Sequence, residues 1–166
     1  MKDYNSVELG IKISYPDGWQ PVNNDKIMTE VFGMTDEEAS GTAFLLVKDA
    51  ETEADFAYFT FSNDENFCDT EAEYEKILEE NLNAFRDSGD EVILKDPVRS
   101  AKNIRIDKAV VKEKIGDDAG EFAFTILYFF HANDQLMFGM VDEVENENDE
   151  NVMILDKVVQ SVSASN

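Results

Sequence analysis

Near the start of the chain, apolar and polar positions alternate: Leu9, Ile11 and Ile13 fall on one side, Gly10, Lys12 and Ser14 on the other. A period of two is that of a half-buried strand. Pro16 and the Asp17-Gly18 turn end it, and Trp19 is expected to anchor the turn against the core. Residues 27–32 read as a short second strand. Residues 33–41 are polar, acidic and bounded by glycines, and read as a mobile surface loop with no phosphate-binding pattern. Residues 43–48 and 56–61 are continuous apolar runs, as expected of strands with both faces at least partly covered. The segment between them, residues 49–55, carries Asp49, Glu51, Glu53 and Asp55 and reads as a solvated loop.

The pattern then changes period. Tyr74, Ile77, Leu78, Leu82 and Phe85 form one helical stripe, which predicts a helix over residues 70–88. Thr70 and Glu73 have capping-box spacing, Arg86 suits the last turn, and Gly89 suits a left-handed stop. An antiparallel meander is predicted next: residues 92–94 closed by Pro97, a longer strand over 104–115, a turn over 116–120, and a strand over 122–130. On that last strand Phe122, Phe124, Ile126, Tyr128 and Phe130 lie on one face, and Ala123, Thr125, Leu127 and Phe129 on the other. Neither face carries a charge, so the strand should be central and dry on both sides. A turn at Ala132-Asn133-Asp134 leads to a strand over 135–141, and Val152, Leu155, Val158, Val159 and Val162 mark a final helix over 148–162.

A strand dry on both faces needs two covering layers. The expected fold is therefore α+β, a mostly antiparallel sheet sandwiched by helices in α/β/α layers. The alternative is a roll with both helices on one face. No internal repeat or Pro- or Ser-rich linker divides the chain, so residues 1–166 are expected to form a single domain.

The segment Gly10-Ile11-Lys12-Ile13-Ser14-Tyr15-Pro16-Asp17-Gly18-Trp19 resembles the opening of PsbP-like domains, where a strand runs into Ser-Tyr-Pro, a short turn and Trp. The later order of strands, long helix, meander and terminal helix is similar over most of the chain. The resemblance implies the Mog/PsbP-like α/β/α sandwich, a fold shared with a Ran-binding nuclear transport factor. It implies an accessory or binding role, as in photosystem subunits, bacterial lipoproteins and chaperone-like partners of secreted effectors. No common catalytic residues come with this fold.

Charge narrows the choice of partner. With 37 acids against 14 basic residues the formal net charge is -23, the wrong sign for non-specific binding to nucleic acid or to an anionic membrane surface. Half of the basic residues fall between Lys95 and Lys114: Lys95, Arg99, Lys102, Arg105, Lys108, Lys112 and Lys114, against only Asp96, Asp107 and Glu113. Arg99, Lys102, Arg105, Lys108 and Lys112 are the candidate partner-binding residues, as a basic ribbon for an acidic protein. The competing reading is internal neutralisation against the acidic helix and loops. Lysines on an edge strand would also discourage strand pairing with other chains.

Catalytic chemistry finds little purchase. His131 is the single histidine and closes a strand; no Gly-x-Ser-x-Gly elbow and no set of further His or Cys ligands accompanies it. Cys68 is the single cysteine, so no internal disulfide forms, and Asp64, Glu65, Asp69 and Glu71 oppose its thiolate. Residues 142–150 hold six acids, of which Asp142, Glu145, Glu147 and Asp149 are the candidate divalent-cation ligands; residues 63–66 offer a second, weaker case. No EF-hand register fits, and the last acids are expected to cap the terminal helix. No catalytic residue and no cofactor are implied. The expected function is a non-catalytic protein-binding module, with a small-ligand or calcium-binding protein as the alternative. No signal peptide or apolar membrane span is visible in the sequence as written, so a cytoplasmic location is expected, or an exported or lipid-anchored one if a leader precedes Met1 in the cell.

Overall fold

The computed structural model describes residues 1–52, 56–115 and 120–165. Alternation near the N-terminus builds a hairpin of β1 (Lys2–Ser6) and β2 (Ile11–Tyr15), which buries Ile11, Ile13 and Tyr15 on one face. Trp19 then opens β3 (Trp19–Val22) and stacks on Phe59 with ring centroids 4.5 Å apart. Two short helices follow, α1 (Asp25–Glu30) and α2 (Asp36–Ser40), and then β4 (Phe44–Lys48) and β5 (Tyr58–Phe67). The long helix α3 (Glu71–Asp87) separates these from β6 (Glu91–Leu94), β7 (Val98–Arg99), β8 (Arg105–Lys114), β9 (Phe122–Ala132) and β10 (Gln135–Val144). Helix α4 (Glu150–Gln160) and β11 (Ser163–Ala164) complete the chain.

All the pairings are antiparallel. The large sheet runs β3-β4-β5-β10-β9-β8-β6, with β7 also on β8; a second, small sheet runs β1-β2-β11. Strand β9 is interior, and its two faces enter two different cores. Ile126, Tyr128 and Phe130 pack in one with Val152, Leu155, Val158 and Val159 of α4 and Ile11 and Ile13 of β2. Leu127 and Phe129 pack in the other with Tyr74, Ile77, Leu78 and Leu82 of α3. Each such side chain removed from water contributes about 1.5–3 kcal/mol before ordering costs, so both faces demand a cover. The helices lie on opposite faces, which is the α/β/α build and not the one-sided roll.

Several local expectations are corrected. Residues 27–32 are not a strand: Asn24 accepts a hydrogen bond from the Ile27 amide (3.1 Å) and caps α1, which buries only Met28. Residues 33–41 are not simply a loop, because Thr35 and Glu38 close a capping box around α2, which with α1 covers Leu45 and Val47. The pair Thr35-x-x-Glu38 was the signal for this helix. The basic strand β8 is not an edge, since β9 pairs one side and β6 and β7 the other. The edges of the large sheet are β3 on one side and β6 and β7 on the other, and Pro21 sits on β3, where a missing amide costs nothing. Of the loop over 49–55 and the turn over 116–120, residues 53–55 and 116–119 lie outside the described residues.

Candidate functional site

Strand alternation divides the basic ribbon between two faces. Arg105, Asp107, Ala109 and Val111 point to the α3 side, whereas Ile106, Lys108, Val110 and Lys112 point to the α4 side. On the α3 side the arginines are neutralised. Arg105 Nη1 lies 2.6 Å from Glu75 and 3.8 Å from Glu71, and its Nε lies 3.0 Å from Asp107. Arg99 pairs with Glu71, whose carboxyl is held below its ordinary range by that hydrogen bond and charge. On the α4 side the lysines rest on rings. Lys108 Nζ is 5.5 Å from the Tyr128 centroid, and Lys112 Nζ is 4.0 Å from that of Phe122. Among the described residues neither forms an ion pair. Phe122 and Ile93 are exposed beside them, and Lys102 is exposed in the turn before β8.

Beneath Arg105 lies a buried polar network. Asp107 is 1% exposed and accepts from Tyr74 Oη at 2.8 Å as well as from Arg105. Burial, then the Asp107 charge and hydrogen bond, push the Tyr74 hydroxyl far up. For Arg105 burial works against the cation, but the bonds to Glu75 and Asp107 outweigh it and favour the charged form. His131 stacks on Tyr74 (centroids 5.0 Å apart), and its Nε2 lies 2.6 Å from the Cys68 carbonyl oxygen, which accepts from it. Cys68 is buried; burial first, and Glu73 next, raise its thiol. This constellation locks α3 to the sheet. Its polar groups already have partners, and the thiol is not activated.

Most of the acidic residues have structural positions that the sequence pattern did not disclose. Residues 63–66 belong to β5, where Asp64 accepts from the Asn66 amide and from Asn81 of α3. Asp142 lies in β10 and accepts from Thr125 and from the Glu143 amide. Asp149 caps α4 through the Asn151 amide at 2.8 Å, as expected of the last acids, while Glu145 and Glu147 lie in the connection between β10 and α4. Among the described residues no three Asp, Glu, His or Cys side chains gather as metal ligands.

A cleft opens elsewhere on the sheet. On the α3 side of the sheet, α1 and α2 cover β4 while α3 covers β8 and β9. Between them, over β5 and β10, a cleft of about 610 Å³ opens. Its floor is Thr60 and Ser62 of β5 with Phe138 and Met140 of β10; Tyr58 and Met34 wall it, and Glu37, Glu38, Asp142 and Glu143 rim it. The sequence reading missed it, because it is a gap between covers and no local pattern encodes a gap. The one hint was polar Thr60 and Ser62 in an otherwise aromatic run.

A large antiparallel sheet between helical layers, with a small N-terminal hairpin sheet against α4, defines this protein as one of PsbP-like fold. Among solved structures it is similar to the solution structure of cyanobacterial PsbP (CyanoP) from Synechocystis sp. PCC 6803, at TM-score 0.56 and 14% identity over 98% of this chain and 91% of that one. No known family profile matches the sequence, and no curated protein does. Among the described residues no helix is long and apolar enough to cross a membrane.

Proposed function

We propose that this chain is a non-catalytic accessory module that acts by binding another protein. The observation that carries the reading is the α4-side surface of β8 and β9. There Lys108 and Lys112 have no ion pair among the described residues and stand beside exposed Phe122 and Ile93. Cations next to apolar and aromatic area are a good match for an acidic partner. The charges steer the encounter, and the apolar groups supply the desolvated contact. Arg99 and Arg105 leave this surface, because α3 occupies them. The candidate site is thus narrowed to Lys108, Lys112, Lys102 and Phe122. The fold supports the reading, since its resemblance is to an accessory protein class and brings no catalytic set.

The test is affinity capture from the source cell with the wild-type chain and with Lys108→Glu/Lys112→Glu, in low and high salt. A protein held by the wild type at low salt, and lost both on charge reversal and at high salt, is expected. Capture insensitive to both changes would sink this surface. A second reading, a small-ligand protein, is favoured by the cleft over β5 and β10.

A further inference from the structure

We propose that the cleft between α2 and the β5–β10 pair binds a small organic cation, an amine or guanidinium carried on an apolar chain. This goes beyond the protein-binding reading and uses the opposite face of the sheet, so either can fail alone.

The size is right: about 610 Å³ falls within the roughly 300–1,000 Å³ of small-molecule sites. The charge is one-sided. Glu37, Glu38, Asp142 and Glu143 all line the cleft, and none pairs with a lysine or arginine among the described residues. Glu38 and Asp142 accept backbone or hydroxyl hydrogen bonds, which leaves their charge uncompensated. Burial, and then Asp142 and Glu38, raise the Tyr58 hydroxyl, as a negative field within the cleft requires.

An independent observation points inward. The Thr60 side chain is 9% exposed, borders the cleft, and its Oγ1 has no hydrogen-bond partner among the described residues. Buried hydroxyls are nearly always paired, and an N–H donor in the cleft would pair this one. Met34, Phe138 and Met140 supply an apolar wall, and the Tyr58 ring adds a face that attracts cations. Among the described residues no three of these carboxylates converge as metal coordination would need. An extended cation satisfies separated charges; a point ion does not.

The experiment is calorimetric titration of the full chain with spermidine and with agmatine, against magnesium at matched ionic strength. One-site saturable binding of an amine, with no comparable heat from magnesium, is expected. Glu37→Gln/Glu143→Gln, which changes two exposed side chains that form no hydrogen bond among the described residues, should weaken binding about tenfold. Thr60→Val should weaken it about threefold to tenfold yet raise the melting temperature without ligand, because the hydroxyl it removes has no partner. Lys108→Glu/Lys112→Glu should bind the amine as the wild type does. The proposal is overturned if magnesium matches the amines or if neither amine binds by about 10 mM, a Kd beyond any specific site. It is equally overturned if the double Gln variant binds unchanged. Thr60→Val with unchanged affinity, or with a lower melting temperature, would overturn the role of the buried hydroxyl and with it the site.

Discussion

Glu113 and Asp142 approach the same hydroxyl. Thr125 Oγ1 hydrogen-bonds to Asp142 and lies 3.5 Å from Glu113 Oε1, so two carboxylates compete for one donor proton. Burial first, then the charges of Asp142 and Asp90, raise the Glu113 carboxyl above its ordinary 4.5. A raised folded-state value means that the folded protein holds the proton more tightly than the unfolded one. The associated stability is complete below about pH 4.5 and is lost as pH rises through the folded value. Glu113→Gln removes the charge and keeps the shape. It is expected to raise the melting temperature at about pH 7, with the gain shrinking toward zero as pH falls below about 4.5. Melting curves of the two proteins across that range check this; a gain independent of pH would refute it. None of this was readable in the sequence, because Glu113, Thr125 and Asp142 lie on three different strands. For Cys68 the sequence pointed to an unactivated thiol but not to its main cause: burial raises it first and Glu73 next, and of the four acids expected to oppose the thiolate Asp64 contributes.

At the scale of elements, α3 shows how local chemistry sets boundaries. Thr70 accepts from the Glu73 amide at 3.1 Å, as its spacing predicts, but Glu73 reaches back to the Asp69 amide at 3.2 Å rather than to that of Thr70. Gly89 takes φ +92° just beyond the C-cap, a region that costs a side chain dearly. Where elements meet, packing decides. Gly139 of β10 sits opposite Phe61 of β5 and beneath Leu155 of α4. A Cβ there would lie 2.9 Å from the Phe61 ring and 3.4 Å from Leu155. Gly139→Ala should therefore destabilise the fold by about 1–3 kcal/mol, read as a lower urea midpoint with unchanged slope. An unchanged midpoint would mean that the α4 contact with the sheet is looser than described. The elements that the sequence pattern missed are short or weakly apolar. β1 buries only Ser6 among its residues, and β11 has two residues. Such strands exist because a partner offers its edge, not because their own residues insist.

For the whole molecule, charge is the dominant fact. The net charge of -23 repels itself, and the few ion pairs seen are mostly exposed. Exposed pairs contribute about 0–1 kcal/mol each, so screening should relieve more repulsion than it removes attraction. Raising NaCl from about 10 mM to about 500 mM is expected to increase the melting temperature by about 5 °C. A fall instead would show that ion pairs, chiefly those around Arg105, outweigh the repulsion.

The uncharged run from Phe122 to Phe130 pointed by itself to a layered chain, and residues 125–130 are buried on both faces, whereas the strand's first residue, Phe122, is exposed. A stretch with no charged face is covered on both sides where it crosses the sheet, and that constraint is written in consecutive residues. The stripe of α3, its cap and the Ser-Tyr-Pro turn into Trp19 are local in the same way. The division of the basic ribbon, the partners of Arg105, the burial of Asp107 and the cleft floored by Thr60 were decided only by the tertiary structure. Each depends on which strand lies beside which and where one cover stops short of the next. That information is carried by contacts between residues far apart along the chain, and no window of neighbours contains it.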